Sequence, residues 1–105
     1  MHVLILTYAL NGADRVQHAE LCEELAPAFA VVPGLVSQTW LANDSTGRYG
    51  AVYVFAGKSA FDAFVASELY ALVCDHRIVK DVSVTEFGIN PRPTAITRGP
   101  VQIAL

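Results

Sequence analysis

Few side chains in this chain can move a proton or hold a ligand, and most of them fall among aromatic residues. His76, Tyr70 and Asn11 are the polar groups suited to orienting a ligand and handling its proton, because an imidazole titrates near neutral pH and the other two offer fixed donors. Arg77 is a weaker candidate for stabilising an anion. Trp40, Tyr53, Phe55 and Phe29 could wall a slot for a flat small molecule, with His18 and Tyr8 at its edge. Each has a plainer reading. The aromatics equally suit an ordinary core, His76 a solvated helix C-terminus where a cation complements the dipole, and Asn11 a turn beside Gly12. His18 lies four residues before Cys22 on one helix face, so it points into a cleft or sits at its rim, satisfied by water or backbone. His18-x-x-x-Cys22 with Cys74-x-His76 could supply four metal ligands, but neither spacing is that of a zinc knuckle and no metal is expected. Gly47-x-x-Gly50 is a hairpin turn, not a phosphate loop. No paired acid and base stands out.

The stretch that must position these residues is Gly34 to Phe55. Asn43-Asp44-Ser45-Thr46-Gly47 marks a turn between two β-rich runs, so the segment reads as a hairpin. Symmetric pairing sets Trp40 opposite Ala51, Gln38 opposite Tyr53 and Val36 opposite Phe55, all on one face with Tyr49. That face meets either the helices, walling a cleft, or a partner sheet.

Around the hairpin, Val3 to Leu10 is a nearly continuous apolar run, as expected of a strand buried on both faces. Asp14 can cap a helix whose Cys22, Leu25, Ala26 and Phe29 face inward, with Pro27 expected to kink it or begin a last turn. Ser59-x-x-Asp62 resembles a capping box for a second helix that runs to about Cys74, with Phe61, Phe64, Val65, Leu69, Leu72 and Val73 as its core stripe. Ile78 to Phe87 is a fourth strand. Residues 90–105 contain three prolines and read as an extended tail whose Val101, Ile103, Ala104 and Leu105 dock on the same or a partner subunit. The order β-α-β-β-α-β over residues 1–89 gives an α+β, ferredoxin-like antiparallel sheet with both helices on one face.

The composition is 53% hydrophobic and only 16% charged, against ~25% charged in an average domain. The uncovered sheet face must then be apolar too, and a homodimer with facing sheets is expected. A net charge of −3 with scattered Lys and Arg excludes a nucleic-acid footprint. Leu25 to Asn43 lacks charge, yet Pro27, Pro33, Gly34 and Gln38 interrupt it, so no membrane span is expected. With no basic leader and two cysteines, the expected location is the cytoplasm.

Several short motifs, in this order, resemble the YdhR-type monooxygenases within the antibiotic-biosynthesis-monooxygenase group of dimeric α/β barrels. They are Leu10-Asn11-Gly12, Pro33-Gly34-Leu35, Trp40, Tyr53-Val54-Phe55, Ser67-Glu68-Leu69 and Ala95-Ile96-Thr97-Arg98-Gly99-Pro100. The resemblance implies a cofactor-independent monooxygenase, acting on an aromatic or polyketide-like small molecule that itself reduces oxygen without flavin, haem or metal. Such chemistry needs a dry slot and a group that favours the substrate anion. The alternative is a non-enzymatic ligand-binding or stress-associated module on the same scaffold. A haem-degrading branch of the group uses a strand-one Asn, a strand-three Trp and a His ending helix two. Here Thr7 or Tyr8 and Phe55 stand at the first two positions, and only His76 matches.

Overall fold

Residues 2–10 form the first strand, β1 (His2–Leu10), because their β-branched and aromatic side chains suit a pleated surface, and a single period runs through them. Leu4, Leu6 and Tyr8 are buried, whereas Val3, Ile5 and Thr7 between them are only partly covered. The strand is therefore covered on one face, not on both as its apolar run suggests. In this computed structural model, which describes residues 1–101, β1 is followed by α1 (Arg15–Ala30), β2 (Leu35–Asn43), β3 (Arg48–Phe55), α2 (Lys58–Val65), α3 (Glu68–Cys74), β4 (Val79–Gly88) and α4 (Pro91–Ile96). The strands form one antiparallel sheet in the order β2-β3-β1-β4. This is the ferredoxin-like α+β arrangement, with the core between one sheet face and the helices. Among the described residues no helix is long and apolar enough to cross a membrane.

The hairpin register places Trp40 opposite Ala51 and Gln38 opposite Tyr53, as the symmetric turn requires. Val36 does not face Phe55. A register shift between Leu35 and Ser37 sets Leu35 there instead and leaves Val36 exposed, because a bulge gives β2 one residue more than its partner. The tip is tied down by Asp44, whose carboxylate accepts a hydrogen bond from the Tyr49 hydroxyl at 2.8 Å. Two glycines fix the close approaches. At Gly34, φ is +78° and a Cβ would lie 2.4 Å from that of Ala60, which seats the turn before β2 on α2. At Gly50, φ is +154° and a Cβ would lie 1.9 Å from the Leu6 carbonyl oxygen, so only glycine lets β3 approach β1 there.

Asp14 caps α1 in a reciprocal box with Gln17. The helix then continues through Pro27 to Ala30 instead of breaking, which forfeits the one hydrogen bond that proline cannot donate. Its inward line is His18, Leu21, Cys22, Leu25, Ala26 and Phe29. The second helix departs further from expectation. Ser59 is not its cap: the helix starts at Lys58 behind Gly57, and Asp62 pairs with the Lys58 ammonium at 2.9 Å. It then stops at Ala66 and restarts after Ser67, whose hydroxyl donates to the Phe64 carbonyl at 2.5 Å and accepts from the Tyr70 amide at 3.2 Å. The restart shifts the helical phase, so Leu72 is exposed and Tyr70 turns inward to meet Phe64 edge-on at 5.5 Å.

The C-terminal segment is also more regular than three prolines suggest. Pro91–Ile96 makes a short helix, because proline is tolerated in a first turn, where the amide would be unpaired anyway. Val101 is partly buried, whereas Ile103, Ala104 and Leu105 lie outside the described residues.

Candidate functional site

Period-2 alternation along β1 aims Tyr8 at α1, and the capped start of α1 brings His18 opposite it. The Tyr8 hydroxyl and His18 Nε2 stand 2.6 Å apart in the interior. A phenol is the stronger acid and a neutral imidazole the stronger base, so the favoured arrangement has the hydroxyl donating to Nε2. The imidazole proton then resides on Nδ1, and the Cys22 sulfur stands 3.4 Å from Nε2 and 3.9 Å from Nδ1. The ring also packs on Tyr49, with centroids 4.9 Å apart. His18 is only 6% exposed, and its ring meets the side chains of Tyr8 and Cys22.

Burial holds this cluster uncharged. Desolvation lowers the His18 pKa and so keeps the ring neutral. It raises Tyr8 well above the ordinary phenol range, with the neighbouring Cys22 adding to the effect. It also lifts the Cys22 thiol to about 11, with a smaller push from Glu23. Tyr53 is raised by burial, and Tyr70 to about 12 by burial and a hydrogen bond with Cys74. Tyr8, Cys22, Tyr53 and Tyr70 thus keep their protons, and His18 stays a neutral base beside them.

These groups border an enclosed cavity between sheet and helices, lined by Tyr8, Cys22, Phe29, Trp40, Tyr53 and His76 together with aliphatic residues. Its volume is about 20 Å³, room for about one water. Two open grooves flank it along α1 and β2. One, of about 330 Å³, is lined by His18, Cys22, Ala26, Trp40 and Leu41 among others. The other, of about 230 Å³, is lined by Phe29, Leu35, Gln38 and Trp40 among others. Trp40 borders all three spaces and is 37% exposed. It faces the helices, held edge-on against Phe29 with centroids 5.4 Å apart.

The structure therefore brings together Tyr8, His18, Phe29, Trp40, Tyr53 and His76. His76 reaches the cavity from beyond the end of α3, its Nδ1 accepting the Ile78 amide at 3.3 Å. Asn11 does not line the cavity. Its side chain donates to the Arg77 carbonyl at 3.2 Å and its amide to the Ile78 carbonyl at 2.7 Å, which pins the segment carrying His76. Tyr70 packs behind the wall on Phe64. Phe55 is fully buried among Tyr53, Phe61 and Phe64, with centroids 5.4 to 6.2 Å away. Sequence reasoning named Tyr8 and His18 without joining them. The signal available was that Leu4, Leu6 and Tyr8 share one phase, and His18, Cys22 and Phe29 another.

Among the described residues no three His, Cys, Asp or Glu side chains cluster closely enough to hold a metal. Of the positions matched to the haem-degrading branch, Tyr8 and His76 line the cavity. Phe55 is core, and Thr7 takes a hydrogen bond from Arg48 at 2.8 Å away from the cavity.

A one-sided antiparallel sheet with an apolar cleft under its helices defines the scaffold of the antibiotic-biosynthesis monooxygenases, and solved structures share it. SnoaB, a cofactor-independent oxygenase from Streptomyces nogalater, superposes with a TM-score of 0.68 at 20% identity, over 85% of this chain and 92% of its own. MhuD, a heme-degrader from Mycobacterium tuberculosis with two hemes bound in its active site, gives 0.68 at 20% identity over 86% and 96%. A protein of unknown function from Nitrosomonas europaea gives 0.72 at 11% identity over 85% and 88%. At these identities the likeness establishes the fold alone. The sequence itself is more specific: the family model described as "Putative mono-oxygenase ydhR" matches residues 3–100. The chain belongs to that family. No curated protein gives a significant match.

The neutral state of His18 links stability to pH. Its folded pKa lies below the unfolded value, so the unfolded chain binds the extra proton first. This contribution is complete above ~6.5 and is lost as pH falls below it. Urea denaturation at pH 7.5 and 5.5 is expected to give a lower midpoint at the acidic pH, with the difference reduced in His18→Gln. Tyr8→Phe, which strands the imidazole, is expected to cost about 1–3 kcal/mol.

Proposed function

We propose that the protein is a cofactor-independent monooxygenase that takes an aromatic or polyketide-like small molecule at the Trp40 side of its cleft. Family membership supports the reaction class. The observation that carries the reading is the neutral, buried His18 bonded to Tyr8 beside a groove of about 330 Å³ walled by Trp40, within the usual size of a small-molecule site. A phenolic ligand lying on Trp40 gives its proton to the Tyr8 oxygen as Tyr8 passes its own hydroxyl proton to Nε2 of the uncharged His18, the one ring nitrogen able to accept it. The resulting carbanion-like enolate donates electrons to dissolved oxygen. For a ring methylene the balance is CH2 + O2 → C=O + H2O, with no flavin, haem or metal required. His76 orients the part of the ligand that enters the cavity once Trp40 swings aside, while Asn11 and Tyr70 position the cavity's wall from behind.

A second reading has one observation in its favour. The enclosed cavity is about 20 Å³, so a ligand is held in the grooves unless Trp40 swings aside, which suits a binding or stress-associated module without turnover.

The open sheet face supports a homodimer. Val3, Ile5, Val52 and Phe87 lie on it, and Phe87 is 56% exposed; facing sheets would cover them. We place the protein in the cytoplasm, where its two free cysteines stay reduced.

Oxygen-electrode assays with anthrones and hydroquinones are expected to show uptake by the wild type. In His18→Gln, kcat should fall about 100-fold; Trp40→Phe should act mainly on KM, and His76→Ala on both. Binding without uptake across the panel would reject the oxygenase and leave the module. Sedimentation at micromolar concentration is expected to give a dimer that Phe87→Glu dissociates, and a wild-type monomer would contradict the facing sheets.

A further inference from the structure

Gln38 is the one polar side chain on the helix-facing side of β2 whose needs are unmet. Both its amide oxygen and its amide nitrogen are sealed from solvent and have no hydrogen-bond partner among the described residues. Leaving a primary amide in that state costs about 1–3 kcal/mol for each stranded group, and a buried polar group without a partner calls for an explanation. A Leu or Met of similar size would remove the cost, so packing alone does not account for a glutamine here.

Its position offers the explanation. Gln38 pairs across the hairpin with Tyr53 and lines the groove of about 230 Å³ between α1 and β2, two residues from Trp40. Apart from Ser37, the other walls are apolar or aromatic, among them Ala26, Phe29, Leu35, Val36 and the Trp40 ring. Phe29 and Trp40 meet there at 90°, which gives a flat ring one face to lie on and one edge to abut. The groove is smaller than a drug-sized site, so it suits a one- or two-ring molecule. A primary amide carries an acceptor and a donor side by side. Its natural complement is a ligand edge with a donor and an acceptor side by side, as in a lactam, where two parallel hydrogen bonds close a ring and satisfy all four atoms.

We propose that Gln38 is a specificity-determining residue of this cleft, its sealed amide turning into the groove to select a flat ligand that presents adjacent hydrogen-bond donor and acceptor atoms on one edge, a lactam or its equivalent. The inference rests on the reading of the cleft as a small-molecule site and adds the polar requirement that the aromatic walls lack. A ligand without that edge leaves the amide as stranded as it is in the free protein and forgoes the gain that a matching ligand makes, which is how the site discriminates. In the free protein Gln38 is a stability cost, offset when the ligand binds.

The test pairs one substitution with two probes. Gln38→Met keeps the side-chain length and deletes both polar atoms. 2-Quinolone carries the N–H and C=O edge, and N-methyl-2-quinolone lacks the donor. Calorimetric titration of the wild type is expected to favour 2-quinolone by about tenfold or more. In Gln38→Met that preference should shrink to whatever the methyl group's bulk alone imposes. The urea midpoint of the free variant should rise, because nothing polar remains stranded. A fall in the midpoint would show that the amide is already bonded in the free protein and would overturn the inference. A preference for 2-quinolone that survives unchanged in Gln38→Met would overturn it as well, as would equal binding of both probes by the wild type; in either case the cleft still binds aromatic molecules. Failure of the wild type to bind either probe, or any anthrone, would remove the small-molecule site itself and the inference with it.

Discussion

One hydrogen bond organises the interior. The Tyr8 hydroxyl and His18 Nε2, 2.6 Å apart, join the central strand to the long helix across a space lined mostly by apolar and aromatic side chains. In a low-dielectric setting such a bond is strong when made and costly when broken. It therefore fixes how far α1 stands from the sheet, and that spacing decides whether a cleft exists beneath the helix. The same burial that strengthens the bond keeps both partners uncharged. Structure and chemistry are thus tied: the pair that props the cleft open also holds a neutral imidazole beside it.

The aromatic residues divide between two duties according to where the chain places them. Phe55, Phe61 and Phe64 lie deep and pack ring against ring, each contact adding ~0.5–1.5 kcal/mol beyond burial. Phe29 and Tyr53 join that stack and also face the cavity. Trp40 is the outermost member, half in contact with solvent, and it forms the partition between the enclosed cavity and the grooves. A side chain so placed can stack on a ligand, or move, at little cost to the core.

How much of this was legible depended on how many residues spoke to each feature. The order of elements and the ferredoxin-like sheet followed from long periodic runs, and the turn at Asn43 to Gly47 fixed the pairing of Trp40 with Ala51. The Val36 position was misread because a bulge leaves no mark in period-2 spacing. The second helix was read as one because Ser59-x-x-Asp62 mimics a capping box, while Ser67, which caps α3, sits within an uninterrupted helical pattern. Pro91 and Pro93 were read as forbidding a helix, although both fall in its first turn. At the site, Trp40, Tyr53, Phe29 and His76 were found from residue type. The Tyr8–His18 contact was not, because it joins two elements whose separation no local spacing reports. Gln38 was seen only as a polar accent; that its amide lacks a partner is visible only once its surroundings are in place.

The central claim is that His18 sits neutral in the cleft and takes the Tyr8 hydroxyl proton in a hydrogen bond on Nε2. Long-range proton–nitrogen NMR of the imidazole ring tests it directly. At pH 7, with the protein at rest, the account predicts a neutral His18 ring protonated on Nδ1, with Nε2 showing the shift of a hydrogen-bonded acceptor and a titration that falls below the ordinary histidine value. A charged ring at pH 7, or a proton on Nε2, would contradict it.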